Sequence, residues 1–175
     1  EKRHVFGRVE GGAMQLNVYG EMVRDEWFRT AELRPNVVLD EFVVMPNHFH
    51  AIVIITCDTN CETIDETNVR ATRRVARDEI GHNVPDIQLS AAHQGATQRV
   101  APTLQSNSLG SIIGQFKSMA TKRINAYRAE RGLPVVRVWQ RNFYERIIRH
   151  ETELDETRRY IGENPIHWAT DEYAI

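Results

Sequence analysis

Two stretches rich in β-branched and aromatic residues, at positions 37–44 and 48–55, are separated only by Met45-Pro46-Asn47. Such runs around a short Pro/Asn turn predict an antiparallel β-hairpin. Because side chains alternate along a strand, the second run divides into two faces. These faces are His48, His50, Ile52 and Ile54 on one side, and Phe49, Ala51, Val53 and Ile55 on the other. The apolar face requires a partner layer.

Helical periodicity predicts three helices that could supply such a layer. They are residues 16–34 ended by Pro35, residues 109–131 capped by Asn107 or Ser108 and ended by Gly132, and residues 151–163 ended by Pro165. Residues 135–148 are rich in β formers and predict a further strand. Together these elements predict an α+β sandwich in which helices cover one face of an antiparallel sheet.

Residues 58–107 are polar and show no sustained period, which predicts a flexible insertion in a single domain spanning residues 1–175. Cys57 and Cys61 are the only cysteines, too few for a closed zinc site, and are interpreted as reduced thiols. No apolar run approaches the roughly 18 residues of a membrane span. The chain is therefore expected to be cytoplasmic, without a membrane partner.

The net charge of −2 argues against a nucleic-acid partner, but the charge is unevenly distributed. Residues 1–66 carry 6 Lys/Arg against 12 Asp/Glu, whereas residues 101–150 carry 9 against 2. The basic excess predicts a phosphate-binding surface, and a solvated helix face explains part of it equally well.

Three groups of residues are candidates for chemistry. His48 and His50, at i and i+2 on a strand, lie about 7 Å apart at Cα and can converge on one ion. Ordinary surface histidines give the same pattern. On the last helix, Tyr160 and Asn164 flank a buried stripe of Leu154, Thr157 and Ile161. A tyrosine that only packs at the edge of the core would occupy the same place.

The third group is the aromatic and basic segment 138–145, Val-Trp-Gln-Arg-Asn-Phe-Tyr-Glu. Such a segment can stack on bases and pair with phosphates. Interior packing of Trp139 and Phe143 explains it as well.

Four segments together resemble the HUH single-tyrosine transposases, and most closely the REP-associated tyrosine transposases and related insertion-sequence transposases. The segments are Val43 to Ile52 with Met-Pro-Asn-His-Phe-His, Gly114 to Ser118, Val138 to Glu145, and Tyr160 to Pro165 with Tyr-Ile-Gly-Glu-Asn-Pro. The likeness covers most of residues 16–168 outside 58–107. It implies an HUH-endonuclease-like, ferredoxin-like sandwich that lacks the family's first strand, since the chain starts at Glu1.

The resemblance implies that His48 and His50 are paired metal ligands, Asn164 is the third ligand and Tyr160 is the nucleophile. Insertion-sequence relatives often carry Gln at the third-ligand position. Mg²⁺ or Mn²⁺ is the expected ion. The implied reaction cleaves and rejoins single-stranded, hairpin-containing DNA through a 5′-phosphotyrosine, in association with the nucleoid. Monomer and homodimer both remain open.

Residues of the basic helix and of the aromatic segment are expected to contact this DNA. They are Lys117, Lys122, Arg123, Trp139, Gln140, Arg141 and Tyr144. Two alternatives remain. One is a catalytically inactive hairpin-binding protein of the same fold. The other is a small zinc hydrolase that uses His48, His50 and a distant histidine such as His150 or His167.

Overall fold

The computed structural model describes residues 4–56, 72–79, 107–141 and 143–171, with backbone alone over 72–79. Its elements follow in chain order. They are β1 (Gly7–Glu10), β2 (Ala13–Leu16), α1 (Val18–Glu32), β3 (Val37–Val44), β4 (His48–Ile55), β5 (Thr72–Glu79), α2 (Leu109–Ala129), β6 (Tyr144–Ile148), α3 (Glu151–His167) and a 3₁₀ turn (Trp168–Thr170). Cys57 and Cys61 lie outside the described residues.

The main sheet has four antiparallel strands in the order β3-β4-β5-β6. The predicted β3–β4 hairpin is confirmed with the predicted bounds, and Val43 pairs with His50 in its register. The register slips between Leu39 and Phe42, where β3 carries a bulge. An α+β fold built on an antiparallel sheet is therefore confirmed.

Helices cover both faces of this sheet, so the prediction that they cover one face is wrong. Helices α1 and α2 pack on the face that carries Phe49, where the ring centroids of Trp27 and Phe116 lie 5.0 Å and 5.2 Å from that of Phe49. Helix α3 covers the opposite face, where Leu154 and Ile161 pack against Ile52. The predicted alternation of faces along β4 is confirmed.

Strand β5 lies inside the segment predicted to be an insertion, so that prediction is wrong for residues 72–79. It pairs with β4 along its whole length and with β6 on its other side. Its sequence, Thr-Arg-Arg-Val-Ala-Arg-Asp-Glu, lacks the apolar alternation that identifies a half-buried strand. Hydrogen bonds to strands on both sides satisfy its backbone whatever its side chains are. The rest of 58–106 lies outside the described residues.

Substituting proline into β5 tests whether this strand lies between two others in the sheet. Every backbone N–H of a strand between two others belongs to a ladder, so Ala76→Pro removes one hydrogen bond and leaves a carbonyl without its donor. We expect a loss of about 2–4 kcal/mol in the free energy of unfolding, measured by urea denaturation. Ala76→Gly keeps the N–H and should cost about 1 kcal/mol or less. Equal costs for both variants would contradict the central placement.

The segment predicted as a strand over 135–148 is a strand only at Tyr144–Ile148. The preceding residues run along α2 and bond to its side chains instead of to a ladder. The amide of Asn125 donates to the carbonyl of Val136 and accepts from its N–H, at 3.1 Å and 2.9 Å. Trp139 donates from Nε1 to the carbonyl of Lys117 at 3.1 Å. Hydrogen bonds with α2 therefore replace strand pairing in this segment.

Helix α3 continues past Pro165 to His167, four residues beyond its predicted end. The following Trp168 is buried and packs near His4 and His48, at ring-centroid distances of 5.6 Å and 5.9 Å. This packing keeps the chain helical although Pro165 lacks the N–H of a regular helical residue. Among the helices of the described ranges, none has the length and apolar character needed to cross a bilayer.

Two short strands absent from the predicted elements, β1 and β2, form a separate hairpin before α1. Gly11 and Gly12 make its turn with φ angles of 58° and 77°, a region that favours glycine. A Gly-Gly pair is a known hairpin signal and could have identified this element. The next residue after β2, Asn17, caps α1 by accepting from the N–H groups of Tyr19 and Gly20.

Candidate active site

His48 and His50 lie side by side on the face of β4 that α3 covers. Their ring centroids are 4.8 Å apart, and the side chains are 0% and 2% exposed. Full burial distinguishes them from the surface histidines that the sequence left open. Two imidazoles this close inside a protein can hold one cation between their ring nitrogens.

Helix α3 is fixed over this pair by an ion pair and a small apolar core. The guanidinium of Arg158 donates to both carboxylate oxygens of Asp40, at 2.9 Å and 2.7 Å. The side-chain hydrogen bond to Asp40 raises the pKa of Arg158 above its ordinary value. Asp40 lies in the β3 bulge, which brings its carboxylate to the α3 side while Leu39 and Phe42 pack on the opposite core. This two-point contact fixes the rotation of α3 about its axis.

Tyr160 and Asn164 on α3, and Trp168 in the 3₁₀ turn that follows it, are spaced four residues apart. The ring of Tyr160 lies 5.6 Å from that of His50, and the ring of Trp168 lies 5.9 Å from that of His48. Asn164 is midway between them along the helix and is only 4% exposed. Residues at i, i+4 and i+8 follow one side of a helix, so Asn164 lies opposite the pair.

The donor atoms at this place fit a divalent cation. Asn164 Oδ1 is buried and has no hydrogen-bond partner among the described residues. The Nε2 atoms of His48 and His50 are also buried and make no hydrogen bond to a described atom, although both rings have other contacts. An amide oxygen suits Mn²⁺ or Mg²⁺, and two neutral imidazole nitrogens favour Mn²⁺ over Mg²⁺. No cluster of three His, Cys, Asp or Glu that could hold a metal occurs among the described residues.

Tyr160 combines a fixed ring with an accessible phenol. Its ring packs edge-on against His50 at an interplanar angle of 78°, and the side chain is 51% exposed. Tyr160 thus lies beside His50, and helical spacing places the buried Asn164 on the same side of α3.

A protein of Haemophilus influenzae, described as an uncharacterized protein, is 32% identical to this chain over 174 residues. The match covers 99% of this chain and 79% of the relative. This chain belongs to the same family as that protein. No model of a known protein family matches the chain. No solved structure matches it either. The geometry of the site is therefore the basis for the proposed chemistry.

The residues predicted to contact DNA do not all lie near Tyr160. Lys117, Lys122 and Arg123 belong to α2, on the opposite face of the sheet. Lys117 donates to the carbonyl of Gln140 at 2.7 Å, and Arg123 forms ion pairs with Asp25 at 3.1 Å and Glu26 at 3.4 Å. These two cations therefore have structural partners.

Trp139 is buried between Phe6 and Phe116, with ring centroids 5.0 Å and 5.6 Å away. The prediction that it stacks on DNA bases is not supported, because no face of its ring is open to a base. It fills the interior position that the alternative interpretation assigned to it. The side chain of Trp139 also forms part of the wall of a groove beside α2.

This groove has a volume of about 280 Å³ and separates α2 from the segment before β6. It is lined by Lys117, Ser118, Thr121, Lys122, Arg137, Val138 and Trp139. Tyr144, at the start of β6, is 67% exposed and shares the α3 face of the sheet with Arg146, which donates to Thr157 of α3 at 3.0 Å. Arg141 is exposed between the groove and Tyr144. Basic and aromatic side chains thus extend from the groove to the edge strand.

The distant histidines proposed for a zinc hydrolase do not join the pair. His150 precedes α3 and His167 ends it. His167 is exposed and lies 3.9 Å from Glu163. Neither belongs to a metal-binding cluster within the described residues.

Proposed function

We propose that this chain is a metal-dependent, single-tyrosine nuclease and strand transferase that acts on single-stranded DNA containing a hairpin. The observation that carries the proposal is that Tyr160 of α3 packs against His50 and Trp168 of the following turn packs against His48, with the buried Asn164 between them in sequence. A half-exposed phenol is thereby held beside three buried donor atoms. This arrangement supports the proposal, because a tyrosine that attacks a phosphate needs a nearby cation to offset the developing charge.

The chemistry follows from the ordinary properties of these groups. A neutral phenol with a pKa near 10 is a weak nucleophile at pH 7, so charge that develops on the phosphate must be offset. His48, His50 and Asn164 would hold the Mg²⁺ or Mn²⁺ ion, which would supply that positive charge. The ring contact with His50 limits the rotation of Tyr160 beside the proposed cation site.

The transfer step conserves one phosphodiester bond. A bond forms between the Tyr160 oxygen and phosphorus while the bond from phosphorus to the 3′ oxygen breaks. The phenol proton is transferred, directly or through water, to the departing 3′ oxygen. The products are a 5′-phosphotyrosine and a free 3′-hydroxyl, and attack by another 3′-hydroxyl reverses the step without ATP.

A denaturing gel tests this proposal. The full chain is incubated with a hairpin-tipped single-stranded oligonucleotide and Mg²⁺ or Mn²⁺, labelled at its 3′ end or at its 5′ end. We expect the 3′ label to migrate with the protein and the 5′ label to appear as a shorter free fragment that a polymerase can extend. Hairpin binding with neither product would favour the inactive DNA-binding alternative.

The exposed basic residues allow a prediction about the path of the bound DNA across the protein surface. We expect Arg141→Ala and Lys122→Ala each to weaken binding and to reduce the slope of log K against log salt by about 0.7, the contribution of one phosphate contact on a single strand. Arg29→Ala, an exposed cation on α1, is the control and should leave the slope unchanged. If Arg141→Ala also leaves it unchanged, the DNA takes another path.

A further inference from the structure

We propose that Asn47 is a positioning residue that holds the imidazole of His48 in its metal-binding tautomer. The inference rests on the proposed metal site and assigns to Asn47 a role beyond the turn. Asn47 Oδ1 and His48 Nδ1 are 2.8 Å apart, and the two side chains are 3% and 0% exposed. A hydrogen bond between two fully buried groups is shielded from competition with water.

The chemistry of the two groups assigns the proton. A neutral imidazole has one N–H donor and one bare acceptor nitrogen, and an amide oxygen can only accept. The bond to Asn47 Oδ1 therefore places the proton on His48 Nδ1 and leaves the lone pair on Nε2. This is the nitrogen that is buried on the α3 side without a hydrogen bond to a described atom. Only a nitrogen with a free lone pair can bind a cation.

The turn itself does not require asparagine at this position. Asparagine is favoured in turns largely because it tolerates positive φ, yet Asn47 does not have a positive φ. Pro46 fixes the chain just before it, and the Pro46 carbonyl accepts from the N–H of Phe6 at 3.0 Å. A different residue can therefore follow Pro46 without strain in the backbone. The side chain of Asn47 is turned into the protein, towards His48.

Loss of this contact frees the ring to change both its tautomer and its orientation. The neighbouring contact, the ring of Trp168 at 5.9 Å, restrains the position of His48 but does not select a nitrogen. Partners that orient a metal-binding histidine typically account for about 10–100-fold in metal affinity. Asn47 thus contributes to the proposed site without touching the metal or the DNA.

Nitrogen NMR on the full chain tests the tautomer directly. The chain is labelled with ¹⁵N histidine and measured without metal at pH 8, and the His48 signals are identified by their loss in His48→Gln. We expect a protonated Nδ1 and an unprotonated Nε2 in the wild type. Asn47→Leu, which is similar in shape but lacks the acceptor, should shift the proton towards Nε2, and Asn47→Asp should restore it to Nδ1.

Mn²⁺ titration by calorimetry provides the second readout. We expect Asn47→Leu to bind Mn²⁺ about 10–100-fold more weakly than the wild type, and Asn47→Asp to recover the affinity. Asn36→Leu is the control, because Asn36 is also buried but lies at the start of β3 away from the pair. It should leave both the tautomer and the affinity unchanged.

The outcomes separate this inference from the proposed function. A wild-type His48 protonated on Nε2, or an Asn47→Leu variant with unchanged tautomer and affinity, would overturn the role of Asn47. A wild type that binds no Mn²⁺ would overturn the proposed metal site, while the tautomer spectrum would still decide the Asn47–His48 contact. The wild-type spectrum needs no substitution, so the decision does not depend on how a variant folds.

Discussion

Replacing Tyr160 by Phe is expected to abolish the covalent protein–DNA adduct. The substitution removes only the phenol oxygen and keeps the ring that packs against His50. Loss of a nucleophile lowers catalytic rates by several orders of magnitude, so the adduct should fall by more than about 10³-fold. The side chain is half exposed, so the free energy of unfolding should change by less than about 0.5 kcal/mol. Hairpin binding and Mn²⁺ affinity should both remain.

Tyr144→Phe is the matched control for this experiment. Tyr144 is also an exposed tyrosine on the α3 side of the sheet, but it lies on β6, two strands away from β4. No asparagine stands four positions after Tyr144, as Asn164 does after Tyr160. We expect this variant to form the adduct at a rate close to that of the wild type. A phosphotyrosine peptide that maps to Tyr144, Tyr127 or Tyr19 would overturn the assignment of Tyr160.

The parts of the fold that could be predicted are those in which local pattern and tertiary packing agree. The β3–β4 hairpin has strong β formers on both sides of a Pro/Asn turn, and its two faces follow from strict alternation. The stripe of Leu154, Thr157 and Ile161 on α3 is confirmed as buried for the same reason. Helical spacing along α3 also predicts that Tyr160 and Asn164 lie on one side of the helix.

The parts that could not be predicted depend on partners distant in sequence. Strand β5 has little apolar alternation, and only its pairing with β4 and β6 makes it a strand. The segment before β6 has strand-like composition, but Asn125 and Lys117 of α2 bind its backbone groups instead. The same α2 contacts bury Trp139, which composition alone could not separate from an exposed stacking residue.

Two contributors to the site were also beyond the reach of sequence patterns. Arg158 bonds to Asp40, 118 positions away along the chain, and only the bulge in β3 brings that carboxylate to α3. Asn47 belongs to the Met-Pro-Asn-His motif, and the sequence indicates only that it lies in a turn. The structure shows that its side chain contacts His48. The candidate site residues could be identified from sequence motifs, whereas the contacts of Arg158 with Asp40 and of Asn47 with His48 required the fold.

Removing either imidazole should eliminate both cleavage and the stabilisation of the chain by Mn²⁺. His48 and His50 are the two imidazole ligands of the proposed metal site, and loss of a partner that merely orients a ligand already costs about 10–100-fold in metal affinity. We therefore expect His48→Ala and His50→Ala to reduce adduct formation by more than about 100-fold. Hairpin binding should largely remain, because the proposed DNA contacts lie on Arg141 and other exposed residues.

Thermal unfolding separates loss of the metal from loss of packing. Mn²⁺ at 100 times its dissociation constant should stabilise the wild type by about 2.7 kcal/mol and raise its Tm accordingly. Both alanine variants should melt lower without metal, because each leaves a cavity beneath α3, and should gain nothing from Mn²⁺. Ile52→Ala is the matched control, since Ile52 is buried on the same face of β4 but donates to no metal. It should melt lower yet keep the full Mn²⁺ shift, and a histidine variant that also keeps the shift would show that the cation binds elsewhere.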